Sequence, residues 1–229
     1  MANYSIHACP KRMWYVDEYL VPSMLAQGIN ENDIFIYNDT EGVGNLQACL
    51  NAFESTPQDY EGTWHLQDDV LISSNFKEQT EKHNRGIVYG FTGYYDYVSG
   101  TNKNEKIWFP AGIVKPAQMW SSFQCVRIPN KIAHDFVDWF ENYMRNNRVY
   151  AEYVKTGKCD DWFFKQYCKS ELKHVDILNL APNIVEHVDR LIGGSVINEL
   201  REEPEYRARF WEEPELYEEL RVKLAHAKA

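Results

Sequence analysis

The chain has no uninterrupted apolar stretch near the roughly eighteen residues that a bilayer-spanning helix needs. Its N-terminus, Met-Ala-Asn-Tyr-Ser-Ile-His-Ala, lacks the basic flank and apolar run of a secretion signal. Both absences predict a soluble protein. Paired cysteines are missing too: Cys9, Cys49, Cys125, Cys159 and Cys168 are odd in number and show no C-x-x-C spacing. That pattern disfavours metal binding through sulfur and predicts reduced thiols in the cytoplasm. Positive charge is in deficit, with 24 Lys and Arg against 34 Asp and Glu and a formal charge of −10, which argues against a protein that coats nucleic acid over its whole surface. The close cluster of carboxylates and histidines that a two-metal phosphoesterase requires is also lacking.

What remains is an ordinary globular composition, 44% apolar and 25% charged over 229 residues, enough for one substantial α/β core. Tyr4–Cys9 reads as a first strand. Pro10 opens a helical pattern through Met13, Val16, Leu20 and Met24, closed by Gly28. Asp33–Tyr37 is a second strand running into the polar loop Asn38-Asp39-Thr40-Glu41-Gly42, and Leu46, Leu50 and Phe53 mark the next helix. Thr63–Leu66 is a third strand and Ile87–Phe91 a fourth. Strands alternating with helices predict a mainly parallel sheet flanked by helices, joined by right-handed crossovers. The Gly-, Tyr- and Asn-rich stretch from Thr92 to Pro116 reads as a long loop or twisted hairpin, of the kind that shapes an acceptor pocket. Ser122–Ile128 is a fifth strand, Phe136, Phe140, Tyr143 and Met144 stripe the helix after it, and Val175–Leu180 is the last strand. The tail repeats Glu-Glu-Pro-Glu at Glu202 and Glu212, and a proline behind two acids suits a helix's first turn, so two short helices are predicted there. The expected division is a domain over residues 1–198 and a helical extension over 199–229.

Asp68 and Asp69 follow the third strand. Ligands of open α/β sheets bind beyond the carboxyl ends of the strands, and adjacent acids there suit Mg²⁺ or Mn²⁺ completed by substrate phosphates and water. The competing reading is a solvated turn that caps the next helix. Three more polar clusters fall at strand ends or loop mouths: His7 to Arg12, Asn38-Asp39, and Cys159-Asp160-Asp161 together with His187. Lys103, Lys106, Lys115, Arg127 and Lys131, interleaved with Trp108, Phe109, Trp120 and Phe123, form a basic aromatic strip that suits a phosphate- or sugar-bearing acceptor, or else is ordinary surface over core aromatics.

In motif order from Tyr4 to Asn198 the chain resembles glycosyltransferases of the Rossmann-like GT-A fold, most of all the inverting family 2 group and its small phage-type relatives. Gln67-Asp68-Asp69 is similar to the family's DxD variants, with Gln at the first position. The resemblance implies that Asp69 binds the metal and Asp68 faces the ribose. Asp39 matches the acid that reads the uracil of a UDP-sugar, whose imide N–H a carboxylate can accept, and Arg12 a basic residue near the nucleotide. Cys159-Asp160-Asp161-Trp162 resembles the ED-type motif, whose final acid is the general base, here Asp161; an Asp ahead of a helical run is also a preferred N-cap. His187 is similar to the late histidine that completes the metal shell, and an imidazole beside carboxylates favours Mn²⁺ over Mg²⁺. His65 is expected to be structural.

The implied activity is metal-dependent, inverting hexosyl transfer from a UDP-sugar donor to an acceptor hydroxyl, on a glycan or on hydroxymethylated pyrimidines of phage DNA. A sugar- or nucleotide-binding module without turnover is the alternative from another class.

Overall fold

The computed structural model describes residues 2–56, 61–92, 95–99, 102–107, 110–119, 123–146, 160–194, 208 and 210–227. The elements in chain order are β1 (Asn3–Ala8), a 3₁₀ turn (Pro10–Arg12), α1 (Met13–Tyr15), a π turn (Val16–Leu20), α2 (Val21–Ala26), β2 (Ile34–Asn38), α3 (Asn45–Glu54), β3 (Thr63–Gln67), β4 (Val70–Ile72) and α4 (Phe76–Lys82). There follow β5 (Ile87–Tyr89), β6 (Tyr95–Ser99), β7 (Asn102–Ile107), β8 (Gly112–Val114), β9 (Cys125–Ile128), α5 (Asn130–Asn146), α6 (Asp160–Glu171), β10 (Ile177–Asn179), β11 (Val185–His187) and α7 (Pro214–Ala227).

A seven-stranded sheet in the order β2-β1-β3-β9-β5-β10-β8 forms the centre. β1, β2, β3, β5 and β10 run one way, and β9 and β8 run against them. Successive strand residues face opposite sides, so β1 addresses two helical layers. Tyr4 packs on Phe76 of α4 at 5.7 Å and shares a 2.7 Å hydrogen bond with Thr80. His7, on the other face, meets Phe53 of α3 at 5.7 Å. That second layer continues through Phe53, Phe123, Phe136 and Phe164, rings in mutual contact that join α3, α5 and α6. The α/β class, with helices on both faces of the sheet and a C-terminal helix, is as the sequence predicts.

Local chemistry explains several element boundaries. Pro22 lacks the N–H that the carbonyl of Glu18 would accept, and the helix widens into its π turn immediately upstream. Gly28 ends the segment at φ +78°. Pro214 opens α7, whose Tyr217, Leu220 and Leu224 are buried in the core. The first copy of the Glu-Glu-Pro-Glu echo lies outside the described residues, as do Trp108, Phe109, Trp120, Cys159 and Ser195. Between Thr92 and Pro116 the chain forms an antiparallel hairpin, β6–β7, with an irregularity between Tyr97 and Ser99, followed by β8.

Two elements depart from the sequence expectation. The fifth strand is antiparallel to β3, pairing His65 with Val126. A separate two-stranded ribbon, β4 with β11, stands at the rim of the main sheet.

Candidate functional site

β1, β2 and β3 pair in parallel, so their carboxyl ends open on one rim, the edge at which α/β sheets meet ligands. The chain leaving β1 folds into the 3₁₀ turn, closed by Arg12 N–H donating to the Cys9 carbonyl at 3.0 Å, which carries Arg12 back over the rim. The chain leaving β3 presents Asp68 and Asp69 in a turn and then enters β4. β11 pairs with β4 so that His187 stands opposite Val70, and Val188 N–H donates to the Asp69 carbonyl at 2.8 Å. Strand register therefore brings His187 to Asp69.

The four side chains form one buried ionic cluster. Arg12 Nη1 donates to Asp68 Oδ1 at 2.9 Å and also to Asp69 Oδ2, and Arg12 Nη2 donates to the Gly194 carbonyl at 2.8 Å. Asp68 Oδ2 accepts the Cys9 N–H at 2.9 Å. His187 Nε2 lies 3.2 Å from Asp69 Oδ2, and its Nδ1 lies 3.6 Å from Asp189. Arg12, Asp68, Asp69 and His187 are only 5–7% exposed, so none is screened as a surface ion pair would be.

Burial pulls against pairing at each member. Burial and the neighbouring Asp69 push the Asp68 carboxyl up, with Arg12 opposing. Burial also pushes Asp69 up, but Arg12 and His187 outweigh it and hold that carboxyl well below its usual range. Burial alone would push His187 down; Asp69 and then Asp189 reverse this and raise it to about 9. Asp69, Arg12 and His187 are thus held in their charged forms, with the raised Asp68 carboxyl beside them.

Beside the cluster is a cavity of about 240 Å³ lined by His7, Cys9, Arg12, Asp39, Gly44 and Asp69 among others. Asp39 follows β2 directly, its N–H donating to the Ala8 carbonyl at 2.9 Å. Its carboxylate accepts N–H groups from Val43 at 3.0 Å and Gly44 at 3.3 Å. Asp39 is thus a turn acid that also stands on the wall of the cavity. Gly44 takes φ +91°, open to glycine, and starts α3 against the same space.

The remaining expectations fall elsewhere. Asp161 lies in the first turn of α6, which begins at Asp160, so it is not the N-cap; its Oδ1 accepts the Trp162 N–H at 2.7 Å. It is not among the residues lining the cavity. The basic strip does not gather into one basic face among the described residues. Arg127 is buried and donates to the Gly86 carbonyl at 2.8 Å, Lys115 pairs with Asp176, and Lys131 pairs with Asp135. His65 is fully buried, in the structural place expected of it, and its Nδ1 is 3.1 Å from His7 Nε2.

Glu186 has no counterpart in the sequence reading. Buried, it accepts the N–H of His187 at 2.8 Å and that of Ala208 at 2.6 Å, tying the tail to the strand that carries His187. Asn183 and Phe210 add a reciprocal pair of 2.9 Å bonds alongside. A glutamate flanked by valine and histidine carries no local signal of this, because its partner lies 22 residues on.

No group of three His, Cys, Asp or Glu side chains among the described residues is arranged to hold a metal. A hard divalent ion needs only one or two protein donors when phosphates and water complete its shell. Asp69 Oδ1 is sealed from solvent without a hydrogen-bond partner. The 3.2 Å between Asp69 Oδ2 and His187 Nε2 is close to the about 3 Å edge of an octahedron with 2.1 Å bonds. Asp69 and His187 would meet such an ion only if His187 gave up its proton and Arg12 yielded its hold on Asp69.

No family model and no curated protein matches the chain. Among solved structures it is similar to HddC from Yersinia pseudotuberculosis, at 12% identity and a TM-score of 0.31 over 59% of this chain and 80% of that one. It is similar also to HddC complexed with GMP-PN, at 11% identity and a TM-score of 0.30 over the same shares. Likeness at that level carries no argument about this chain.

Proposed function

We propose that this protein is a metal-dependent glycosyltransferase of the GT-A kind, moving a sugar from a UDP-sugar to an acceptor hydroxyl with inversion at the anomeric carbon. The observation that supports this reading best is the meeting of Arg12, Asp68, Asp69 and His187, drawn from distant parts of the chain, at the carboxyl rim of the parallel strands beside a cavity walled by Asp39.

Asp69 and His187 would hold Mn²⁺, or Mg²⁺, which would supply positive charge to offset the charge that grows on the departing diphosphate. Arg12 would present its guanidinium to the diphosphate, a bidentate match in shape and charge. Asp68 keeps Arg12 and the Cys9 backbone in register and faces the ribose. Asp39 accepts the imide N–H of uracil from the cavity wall. Asp161 removes the acceptor hydroxyl's proton as that oxygen bonds to the anomeric carbon from the face opposite the leaving UDP. Positioning of donor and acceptor in line provides much of the rate.

The direct test is a thermal-shift screen of nucleotide sugars with and without Mn²⁺, followed by UDP release assays with glycan and with hydroxymethylated-DNA acceptors. Stabilisation by a UDP-sugar only when Mn²⁺ is present, and UDP release, are expected. Stabilisation without turnover on any acceptor identifies a binding module instead. The Asp161→Asn protein is expected to keep UDP affinity and lose transfer; normal turnover in that folded variant removes Asp161 from its role.

A further inference from the structure

His7 and His65 are among the polar residues of this region that the proposed chemistry leaves unused. They meet in the layer between the sheet and α3. His65 is fully buried, His7 lines the cavity, and His7 Nε2 lies 3.1 Å from His65 Nδ1. Phe53 packs edge-on against both rings, at 5.7 Å and 4.5 Å, and fixes their planes. His65 Nε2 is sealed without a partner, while His7 Nδ1 has no protein partner among the described residues and is the ring nitrogen left for a ligand.

This arrangement restricts the tautomers. Burial pushes both imidazoles down, His7 to about 4, so both are neutral at physiological pH and each carries one proton. If His7 Nε2 donated to His65 Nδ1, the proton of His65 would sit on its sealed Nε2 as an orphaned buried N–H, the rarer and costlier kind of unsatisfied group. The other arrangement has His65 Nδ1–H donating to His7 Nε2. It leaves only a bare lone pair in the interior and places the proton of His7 on Nδ1, as a donor available to the cavity.

Asp39 is an acceptor on the wall of the same cavity. β1 and β2 run in register, His7 opposite Tyr37 and Ala8 opposite Asn38, and Asp39 follows at once, bonded to the Ala8 carbonyl. Each oxygen of its carboxylate accepts one loop N–H and retains capacity for another bond. A donor and an acceptor on the wall of one cavity can complement a ring carbonyl adjacent to a ring N–H. Uracil and guanine present that edge. Cytosine and adenine present the reverse, a ring nitrogen acceptor beside an amino donor.

We propose that His7, locked as a donor by His65, reads the base together with Asp39, and that the cavity selects nucleotides carrying a lactam edge over those carrying an amino edge. This inference rests on the nucleotide-sugar reading above. It is tested by calorimetric titration of UDP, GDP, CDP and ADP into the 229-residue protein with MnCl₂. The wild-type protein is expected to bind UDP or GDP about tenfold or more tightly than CDP and ADP. The His7→Phe protein, its fold verified by circular dichroism, is expected to lose that preference. The His7→Asn protein, whose amide occupies the place of Nδ1, is expected to retain part of it. A two-bond ¹H–¹⁵N imidazole spectrum of the free protein is expected to show Nδ1–H on both residues, whether or not a variant folds. A wild-type base preference in His7→Phe, or Nε2–H on His65, overturns this inference alone. Binding of none of the four nucleotides by the wild-type protein overturns it together with the reading on which it rests.

Discussion

His187 Nε2 stands 3.2 Å from Asp69 Oδ2, a contact across more than a hundred residues made by the pairing of β11 with β4. The two are an ion pair in the structure and, on the proposed function, would be the metal's donor set, so Asp69 is the residue on which the proposed chemistry depends most. Replacing it with Asn removes one carboxylate and leaves Asp68 to hold Arg12. Mn²⁺-dependent UDP release is expected to fall by roughly 100-fold or more, and the thermal shift on adding Mn²⁺ is expected to vanish while a cooperative melt remains. Full activity in this variant sinks the metal assignment.

The proposed metal uptake would carry a pH dependence whose sign follows from His187. His187 is raised to about 9 by Asp69 and Asp189 against the opposing effect of burial, and a metal takes only the neutral imidazole. Apparent Mn²⁺ affinity is therefore expected to climb with pH up to about 9, by about tenfold per unit below that point. Titration calorimetry in buffers of different ionisation enthalpy is expected to register about one proton released per ion bound. Affinity independent of pH between 6 and 8 removes His187 from the shell.

The His7–His65 pair sets an acid limit on folding. Burial depresses His7 from 6.5 to about 4, so below 6.5 the unfolded chain takes up a proton that the folded chain refuses. The stability contribution is fully present above pH 6.5 and is lost as pH falls through that window toward 4. For His7 alone this amounts to about 3 kcal/mol, and His65, displaced in the same direction, adds to it. Urea unfolding at pH 7.5, 6, 5 and 4 measures the effect. The His7→Phe protein is expected to have a flatter profile across that range.

Glu186 offers a separate handle. Glu186→Ala leaves the buried N–H groups of His187 and Ala208 without their acceptor, at about 1–3 kcal/mol for each unsatisfied group. Reduced stability to urea is expected, together with faster proteolytic cleavage near residue 208, since the tail loses its tie to β11. Glu186→Gln keeps an acceptor oxygen and is expected to cost less. Unchanged proteolysis in Glu186→Ala shows that the Asn183–Phe210 pair secures the tail by itself.

Residues whose roles are local were legible in the sequence. Gly28 ends its helix, Pro214 begins one, and Asp68-Asp69 follows a strand at a rim, because each depends on a few neighbouring residues. The meeting of His187 with Asp69 was expected from family resemblance, but its physical cause, the β4–β11 ribbon, was not visible. Each of its strands is three residues long, too short to show an alternating pattern, and their register is a long-range fact. The described part of the basic strip took its other reading, ordinary surface, for the complementary reason. Lys115, Arg127 and Lys131 are close in the chain, yet Arg127 points into the interior and the two lysines meet different acids.

The Arg12–Gly194 bond joins positions 182 residues apart, and this has a consequence for biosynthesis. While residues 187–194 are still inside the ribosome, the emerging chain carries Asp68 and Asp69 with Arg12 as their single cationic partner in the cluster. Closure over so long a span is slow compared with local helix formation. The ionic cluster is therefore assembled only once residues 187–194 have emerged, and truncation ahead of residue 187 yields a polypeptide whose acid pair has lost the imidazole that balances it.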